Sequence, residues 1–256
     1  MRLDQYLATY KDVKSRAAAQ DLIKEGYVEV NKKIIRKPAY TINDTDCIVV
    51  HKSEHEFASR GGLKLFYAIE KYHVQLSDKV VLDIGASTGG FTDVCLQQGA
   101  RHVYAVDVGV DQLAQSLKDN PKVSNLESCD IRTLDPAKIQ QVIDFICIDV
   151  SFISLKKIFD VVVTYCNDKT ELLVLVKPQF EVGKNFVNKQ GVVKDKNVHK
   201  RLLLDYMDYF QSLGFGIKAI DKAAIQGRSG NQEYIFYMKY HSVSKSIHIQ
   251  DVLKGE

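Results

Sequence analysis

The segment Asp83-Ile84-Gly85-Ala86-Ser87-Thr88-Gly89-Gly90-Phe91 decides the fold of this chain. It ends an apolar strand predicted at 80–84 and runs into a stretch with helical spacing at 90–98. Glycines let the backbone pass close to a ligand, and a helix start offers unpaired N–H groups, so the pattern is typical of a nucleotide-binding turn. The dinucleotide pattern GxGxxG is absent because position 87 is serine, and no Gly-Lys-Ser/Thr phosphate loop occurs.

Strands and helices alternate on both sides of this turn. Apolar strands are predicted at 80–84, 102–107, 123–126, 145–149, 172–176, 215–221 and 232–239. Helices are predicted at 63–72, 90–98, 110–118, 154–166 and 196–213. Near-continuous apolar strands separated by helices indicate a mostly parallel sheet covered on both faces, and the two late strands suggest an antiparallel edge. We therefore predict an α/β, Rossmann-like domain with a mostly parallel seven-stranded sheet.

Acidic residues are predicted at the ends of three successive strands. Asp83 belongs to the first, Asp107 ends the second, and Asp130 is placed at the end of the third. Open parallel sheets bind ligands at this edge, where a carboxylate can accept hydrogen bonds from ribose hydroxyls. The pattern DxGxxxGG, with an acid at the second strand end, resembles the class of S-adenosylmethionine-dependent methyltransferases.

That resemblance implies S-adenosyl-L-methionine as the cofactor. Asp83 is then expected to face the methionine amino group, Asp107 to hold the ribose, and Asp130 to lie near the adenine amino group. The residues expected to contact the cofactor are Asp83, Gly85, Ser87, Thr88, Gly89, Gly90, Phe91, Asp107, Val108, Asp130 and Asp149. No metal ligand set is predicted.

Two lysines and two further acids occupy positions suited to chemistry. Asp149 ends the fourth strand and Lys177 ends the fifth. Lys64 precedes the first strand, and Glu233 opens the last. A lysine that ends an apolar strand is costly unless it is paired or functional. These residues are either ordinary ion pairs at a sheet edge or parts of a catalytic site.

This set resembles the K-D-K-E tetrad of FtsJ-like RNA 2′-O-methyltransferases. The strings SRGGLKL, DIGASTGGFTD, VDVG, DVSFISL, LVKPQFEVGK, GVVKD and SGNQEY are similar to the TlyA family, often labelled hemolysin. That family is described as methylating cytidine 2′-hydroxyls in ribosomal RNA. A ribose 2′-hydroxyl must lose its proton as it attacks, so we predict Lys177 as the base and Lys64 as the cation that steadies the developing alkoxide. Asp149 and Glu233 are expected to orient the lysines and the hydroxyl, and the reverse assignment of the two lysines stays open.

Residues 1–53 carry all of the chain's excess positive charge. They hold ten Lys/Arg and seven Asp/Glu, whereas the remaining residues hold 25 of each. Two short helices, 2–8 and 15–25, precede short strands in a small α+β pattern. The segment resembles the RNA-binding domain of ribosomal protein S4 type, although a merely solvated basic face is the alternative. The residues expected to contact RNA are Arg2, Lys14, Arg16, Lys24, Lys32, Lys33, Arg36 and Arg60.

We predict an RNA-binding domain at 1–53, a linker at 54–60, a methyltransferase domain at 61–240 and a weakly ordered tail at 241–256. With 45% hydrophobic and 26% charged residues, the composition is that of a globular protein. There is no apolar run of about 18 residues and no secretory signal at the start. Five scattered cysteines suit a reducing cytoplasm.

We therefore expect a cytoplasmic protein, with a monomer favoured, whose partner is ribosomal RNA or a ribosomal subunit. Two other functions stay open. A membrane-active hemolysin needs an amphipathic or spanning segment, which the pattern lacks. An RNA-binding ribosome-assembly factor with an inactive methyltransferase fold would not need the tetrad, whose four residues are all present.

Overall fold

A computed structural model describes residues 1–11, 13, 15–25, 27–50, 57–227 and 230–254. The chain divides into two compact units, Met1–Glu56 and Phe57–Glu256. Each unit is treated by itself. Residues 57–60, predicted as part of a linker, belong to the second unit.

The first unit is the small α+β domain that the sequence predicts. Helices α1 (Leu3–Tyr10) and α2 (Arg16–Glu25) pack beside a three-stranded antiparallel sheet. Its order is β2 (Lys33–Ile34), β1 (Val28–Val30), β3 (Ile48–Val50). The helical spacing of Leu3 and Leu7 places both on one face, and burial of that face against the sheet forms the core. The core residues are Leu3, Leu7, Ala19, Ile23, Val28, Val30, Ile42 and Ile48.

The second unit contains the predicted seven-stranded, mostly parallel sheet. Its order is β6-β5-β4-β7-β8-β10-β9. The parallel strands are β4 (Val80–Ile84), β5 (His102–Val106), β6 (Val123–Leu126), β7 (Phe145–Ile148) and β8 (Glu171–Val176). The antiparallel edge is formed by β10 (Tyr234–Tyr240) and β9 (Phe215–Lys222). The predicted α/β Rossmann-like fold is confirmed.

Helices cover both faces of this sheet. They are α3 (Gly62–Tyr72), α4 (Gly90–Gln97), α5 (Gln115–Lys118), α6 (Phe159–Thr164), α7 (Pro178–Glu181), α8 (Lys196–Ser212) and α9 (Ile249–Lys254). Because side chains alternate along a strand, Leu82 packs into the cluster that contains Phe159 and Phe210, whereas Val81 packs with Leu65. Within the described ranges, no helix is long and apolar enough to cross a membrane.

Three details differ from the sequence predictions. The helix predicted at 110–118 is reduced to the single turn α5, and the helix predicted at 154–166 is divided into a 3-10 turn, Leu155–Lys157, and α6. The prediction of a weakly ordered tail at 241–256 is wrong, because this segment includes α9. Ile249 and Val252 lie three residues apart, so they share one helix face and are buried in the core with α8 residues.

Candidate active site

The parallel register brings three strand ends to one level of the sheet. β4 pairs with β5 and with β7 so that the last residues of these strands lie opposite one another. The residues that follow them, Gly85, Asp107 and Asp149, therefore leave the sheet at the same edge. Asp83 lies inside β4, opposite Cys147. This edge is where open α/β sheets bind ligands.

The glycine-rich turn requires two of its glycines. Gly85 has φ +86°, and a Cβ there would lie 2.6 Å from the carbonyl oxygen of Asp149. Gly89 has φ +93°, and a Cβ there would lie 2.2 Å from Cδ1 of Leu117. Both positions combine a left-handed backbone with a close neighbour, so only glycine fits them without rearrangement. The turn leaves Ser87 and Thr88 exposed.

Asp83 is a buried carboxyl group with one unsatisfied oxygen. It is fully buried, and Thr92 Oγ1 donates a 2.6 Å hydrogen bond to Oδ2. Oδ1 has no hydrogen-bond partner among the described residues. Burial raises the pKa of Asp83 to about 7, against the opposing hydrogen bond from Thr92. An orphaned buried carboxyl oxygen is costly, so this atom fits a ligand that brings an ammonium group.

Asp107 is held for the recognition of hydroxyl groups. Its Oδ2 accepts a hydrogen bond from the backbone N–H of Ser87 at 2.8 Å, and its Oδ1 accepts one from Gly109 at 2.7 Å. Each oxygen keeps a second lone pair for a ligand. Val108, the next residue, is 71% exposed. An exposed aliphatic side chain beside a fixed carboxylate suits a nucleoside, whose base is apolar on its faces and whose sugar is polar.

The sequence predicts Asp130 at the end of a strand, but the structure places it beyond that strand. β6 ends at Leu126, and Asp130 is four residues further on, where it caps the 3-10 turn Ile131–Thr133. The backbone and the guanidinium of Arg132 both donate to its carboxylate, and these hydrogen bonds lower the pKa of Asp130. The predicted contact with adenine stays a prediction.

Glu127 is a residue that the sequence reasoning missed. It follows β6 directly, and its Oε1 accepts hydrogen bonds from the backbone N–H groups of Gln112 and Leu113 at 2.5 and 2.8 Å. The hydrogen bonds from Asn125 and Leu113 lower the pKa of Glu127 to about 2. The carboxylate thereby fixes the loop that follows Val108. An acid immediately after a predicted strand was the available signal.

The four tetrad residues form two ion pairs, of which Lys64–Glu233 is buried and Lys177–Asp149 is partly exposed at Asp149. Nζ of Lys64 lies 2.5 Å from Oε2 of Glu233, and Lys177 pairs with Asp149. Both lysines are 8% exposed and Glu233 is 3% exposed. The strands explain the arrangement, because β8 lies between β7 and β10 and the first residue of β10 faces the last residue of β8. A Cβ on Gly61 would lie 3.9 Å from Asp149 Oδ2, which brings the start of α3 to the same place.

Ser151 and Phe152, which follow Asp149 closely in sequence, extend this cluster, and neither was predicted from the sequence. Ser151 Oγ accepts a hydrogen bond from Nζ of Lys177 at 2.9 Å. Phe152 is 91% exposed, has φ +66°, and packs against the ring of Phe180 with a centroid distance of 4.9 Å. A bulky residue in the left-handed region is uncommon, and such strain gathers at functional sites.

The first unit presents a pair of arginines on one buried acid. Asp4 is fully buried and accepts hydrogen bonds from Arg2, Arg16 and Gln20 at distances of 2.8 to 3.2 Å. The guanidinium of Arg2 holds the pKa of Asp4 well below its usual range. The acid thereby fixes two cationic groups at the surface, where both arginine side chains are about half exposed.

The other cations predicted to contact RNA differ in their placement. Lys24, Lys32, Lys33 and Arg36 are exposed in the first unit. Lys14 lies outside the described residues. Arg60 belongs to the second unit, where its guanidinium donates to the carbonyl of Gln226 at 2.7 Å.

The fold and the strand-end site define a class I methyltransferase domain, which shares its chain with a small α+β domain. The family described as FtsJ-like methyltransferase matches residues 57–240, and the S4 domain matches residues 1–48. The chain belongs to the TlyA family of FtsJ-like methyltransferases, as the sequence motifs predicted.

Three relatives illustrate the similarity. The chain is 39% identical over 239 residues to the 16S/23S rRNA (cytidine-2′-O)-methyltransferase TlyA of Mycobacterium tuberculosis, covering 93% of this chain and 89% of the relative. It is 33% identical to the 23S rRNA (cytidine-2′-O)-methyltransferase TlyA of Campylobacter jejuni, covering 93% and 98%. A solved structure of a candidate hemolysin from Streptococcus thermophilus has a TM-score of 0.78 at 32% identity and covers 100% and 94%.

Proposed function

We propose that this protein transfers the methyl group of S-adenosyl-L-methionine to the 2′-hydroxyl of a cytidine in ribosomal RNA. The observation that carries the proposal is the presence of two ion pairs with buried lysines, Lys64–Glu233 and Lys177–Asp149, at the sheet edge that also holds Asp83. The names of the two TlyA relatives support cytidine and ribosomal RNA as the substrate.

The residues at the strand ends fit the proposed cofactor. The unsatisfied Oδ1 of Asp83 would accept the methionine amino group, and Asp107 would accept the ribose hydroxyls. Val108 would pack against the adenine. The turn residues that would line the site are Gly85, Ser87, Thr88, Gly89, Gly90 and Phe91. S-adenosyl-L-methionine supplies a methyl group that its positive sulfur already activates, so alignment accounts for most of what the protein adds.

The tetrad would manage the proton and the charge on the attacking oxygen. A ribose 2′-hydroxyl is a weak acid and must lose its proton as it attacks. Nζ of Lys177 would accept that proton in its neutral amine form, with Asp149 and Ser151 holding the amine in place before the transfer and pairing with the ammonium that results. Lys64 would face the negative charge that develops on the oxygen, and Glu233 would fix the position of Lys64.

Phe152 gives the target nucleotide a place to stack. The tetrad is largely buried, with only Asp149 partly exposed, so a ribose reaches it only if its nucleotide leaves the RNA stack. The ring of Phe152 is almost fully exposed, one residue after Ser151, the hydrogen-bond partner of Lys177, and three residues after Asp149. Unstacked bases are commonly held by aromatic side chains. We therefore assign Phe152 to contact with the target base.

The first unit would dock the enzyme on structured RNA. Arg2 and Arg16, held together by Asp4, would bind phosphates together with Lys24, Lys32, Lys33 and Arg36. Contacts of this type give affinity and orientation with little sequence readout. Docking would supply the specificity that a compact site for one nucleotide lacks.

Mapping of 2′-O-methyl groups by mass spectrometry tests the proposal directly. Unmodified 30S and 50S subunits are incubated with S-adenosyl-L-methionine and either the wild-type protein or Lys177→Ala. We expect a 2′-O-methylcytidine with the wild type and its loss with the variant. A wild-type protein that methylates neither subunit would contradict the proposal.

The same preparation separates the two other functions. A membrane-active hemolysin would release dye from liposomes without S-adenosyl-L-methionine. An assembly factor with an inactive fold would bind ribosomal RNA equally well as the wild type and as Lys177→Ala, and neither would yield 2′-O-methylcytidine.

A further inference from the structure

The near-neutral methyltransferase unit contains one strongly cationic segment, residues 184–201. This segment has a single acid, Asp195, whose side chain accepts the backbone N–H of Asn197 at the start of α8. Its cations are Lys184, Lys189, Lys194, Lys196, Lys200 and Arg201. All of them are exposed except the half-buried Lys200. Within the described part of the chain, none of them belongs to an ion pair, whereas nearby Lys156 pairs with Asp205.

Asn231 anchors this segment beside the tetrad. Asn231 is 1% exposed and lies two residues before Glu233. Its Oδ1 accepts the backbone N–H of Val193 at 3.1 Å, and its Nδ2 donates to the carbonyl of Gly191 at 2.8 Å. The loop that carries Lys189 and the loop end near Lys194 are therefore held at the edge of the sheet where the catalytic residues lie.

His199 anchors the helical part of the same segment. It is 5% exposed, its Nε2 lies 3.0 Å from the carbonyl of Val193, and its Nδ1 lies 3.0 Å from the hydroxyl of Tyr234. The carbonyl can only accept, so Nε2 carries the proton and the Tyr234 hydroxyl donates to Nδ1. A solvated charged loop does not need two buried polar anchors, whereas a preformed binding surface does.

An aromatic ring and a planar cation border a groove in this segment. Phe186 is 49% exposed, and the guanidinium of Arg201 lies 5.6 Å above its ring. The groove has a volume of about 260 Å³ and is also lined by Val182, Gly183, Val198, Leu202 and Asp205. Exposed aromatic rings and arginine planes are the groups on which unpaired RNA bases stack.

We propose that residues 184–201 form a second RNA-binding surface, located on the methyltransferase unit itself. Its cations bind phosphates of the strand that flanks the target nucleotide, and the groove bordered by Phe186 and Arg201 takes one unpaired base. The proposal rests on the proposed RNA substrate. Charge complementarity selects the partner, because a run of mostly exposed cations beside the catalytic edge matches a polyanion that has to pass that edge.

The test removes three of these charges and compares an equal change elsewhere. The variant is Lys189→Gln/Lys194→Gln/Lys196→Gln in the full chain. The matched control is Lys122→Gln/Lys169→Gln/Lys245→Gln, which removes three exposed lysines next to strand ends at the opposite edge of the sheet. Binding of deproteinised 23S and 16S rRNA is measured over a range of KCl concentrations.

The slope of log affinity against log salt is negative, and we expect the surface variant to reduce its magnitude by about 2. Each lost phosphate contact removes about 0.7 to 0.9 from that magnitude. The control variant should keep the wild-type slope. Equal slopes for the surface variant and the wild type would overturn the proposal. A loss seen with intact subunits but absent with deproteinised RNA would assign the surface to a ribosomal protein and would also overturn it.

Methylation is followed in the same samples, so that the two proposals fail separately. If the wild type methylates no cytidine, the proposed function fails, while the salt slopes still report on the surface. If the wild type methylates rRNA and the surface variant binds and methylates equally well, only the surface proposal fails. Binding of S-adenosyl-L-methionine should be the same in all three proteins, which shows that the variants are folded.

Discussion

At the scale of single residues, we predict different losses of methylation rate for substitution of the two tetrad lysines. Loss of a general base costs roughly 10²- to 10⁴-fold in rate. We expect Lys177→Ala to lower single-turnover methylation within this range, whereas Lys64→Ala should lower it less, because Lys64 only faces charge on the oxygen. Both variants should still bind S-adenosyl-L-methionine. Near-full activity of Lys177→Ala together with inactivity of Lys64→Ala would reverse the two roles.

The raised pKa of Asp83 leads us to predict that the stability of the fold depends on pH in an unusual direction. Its folded pKa of about 7 lies above the unfolded value of 3.8, so the folded state holds the proton more tightly. Stability of the cofactor-free protein should therefore fall as pH rises from about 4 to 7, by at most about 4 kcal/mol. Asp83→Asn should lack this loss. Thermal unfolding of both proteins between pH 5 and pH 8 measures it, and parallel curves would contradict it.

The cofactor should reverse this penalty. An ammonium group beside Asp83 favours the ionised carboxylate, so affinity for S-adenosyl-L-methionine should rise as pH increases toward 7 and above. In Asp83→Asn, affinity should be lower and should lose this rise. Equilibrium binding from pH 6 to pH 8 provides the measurement, with Thr92→Val as a control that removes the hydrogen bond but keeps the carboxyl group.

Residue identities at the site were partly readable from the sequence. Asp107 and the tetrad could be found because they belong to strand ends and to family motifs. Glu127 could not be distinguished from Asp130 in the sequence, since both follow the same strand and only the fold shows that Glu127 binds the loop at 112–113 while Asp130 caps a 3-10 turn. Phe152 could not be found from pattern alone, because its exposure and left-handed backbone are properties of the folded chain.

At the scale of elements, the glycine-rich turn tolerates no side chain at position 89. Gly89→Ala adds a clash with Leu117 to the strain of a left-handed backbone, so we expect a loss of about 1–3 kcal/mol in stability and weak cofactor binding. Gly191→Ala is the matched control, because Gly191 has φ +78° but nothing within 4 Å of its would-be Cβ. Chemical denaturation should show a smaller loss there, with cofactor binding intact.

Helix α9 shows why the end of the chain was misjudged. The polar stretch before it predicts no core contact, and its two apolar residues are too few for a clear period. Truncation after His248 removes Ile249 and Val252 from the core, which should cost about 3–6 kcal/mol at about 1.5–3 kcal/mol for each side chain. Methylation should persist well below the lowered melting temperature. An unchanged denaturation midpoint would show that α9 adds nothing.

The predicted helix at 110–118 failed for a related reason. Its apolar spacing was adequate, but Asp111 has φ +52°, and a residue in the left-handed region interrupts a right-handed helix. The side chain of Glu127, fifteen residues from Gln112 in sequence, then holds this loop by accepting the N–H groups of Gln112 and Leu113. Long strands such as β4 were predictable because the apolar run alone determines them.

At the scale of the whole molecule, the charge distribution leads us to propose two surfaces that would bind one RNA. The net charge of +3 arises entirely in residues 1–53, because the remaining residues carry equal numbers of cations and acids. That balance conceals the cationic segment 184–201, whose charge is offset by acids elsewhere in the chain. Both surfaces would bind phosphates, so their contributions to the free energy of binding should add if each contacts its own part of the substrate. The first surface can be weakened by Lys24→Gln/Lys32→Gln/Lys33→Gln, which changes three exposed lysines.

Combining this variant with the Lys189, Lys194 and Lys196 substitutions tests the addition. We expect each triple variant to reduce the magnitude of the salt slope by about 2, and the variant that carries all six substitutions to reduce it by about 4. The losses in log affinity should add in the same way. Binding titrations of one rRNA fragment at four salt concentrations are sufficient. A combined loss no larger than the greater single loss would mean that both sets of lysines compete for the same phosphates, which an RNA spanning two separate surfaces does not allow.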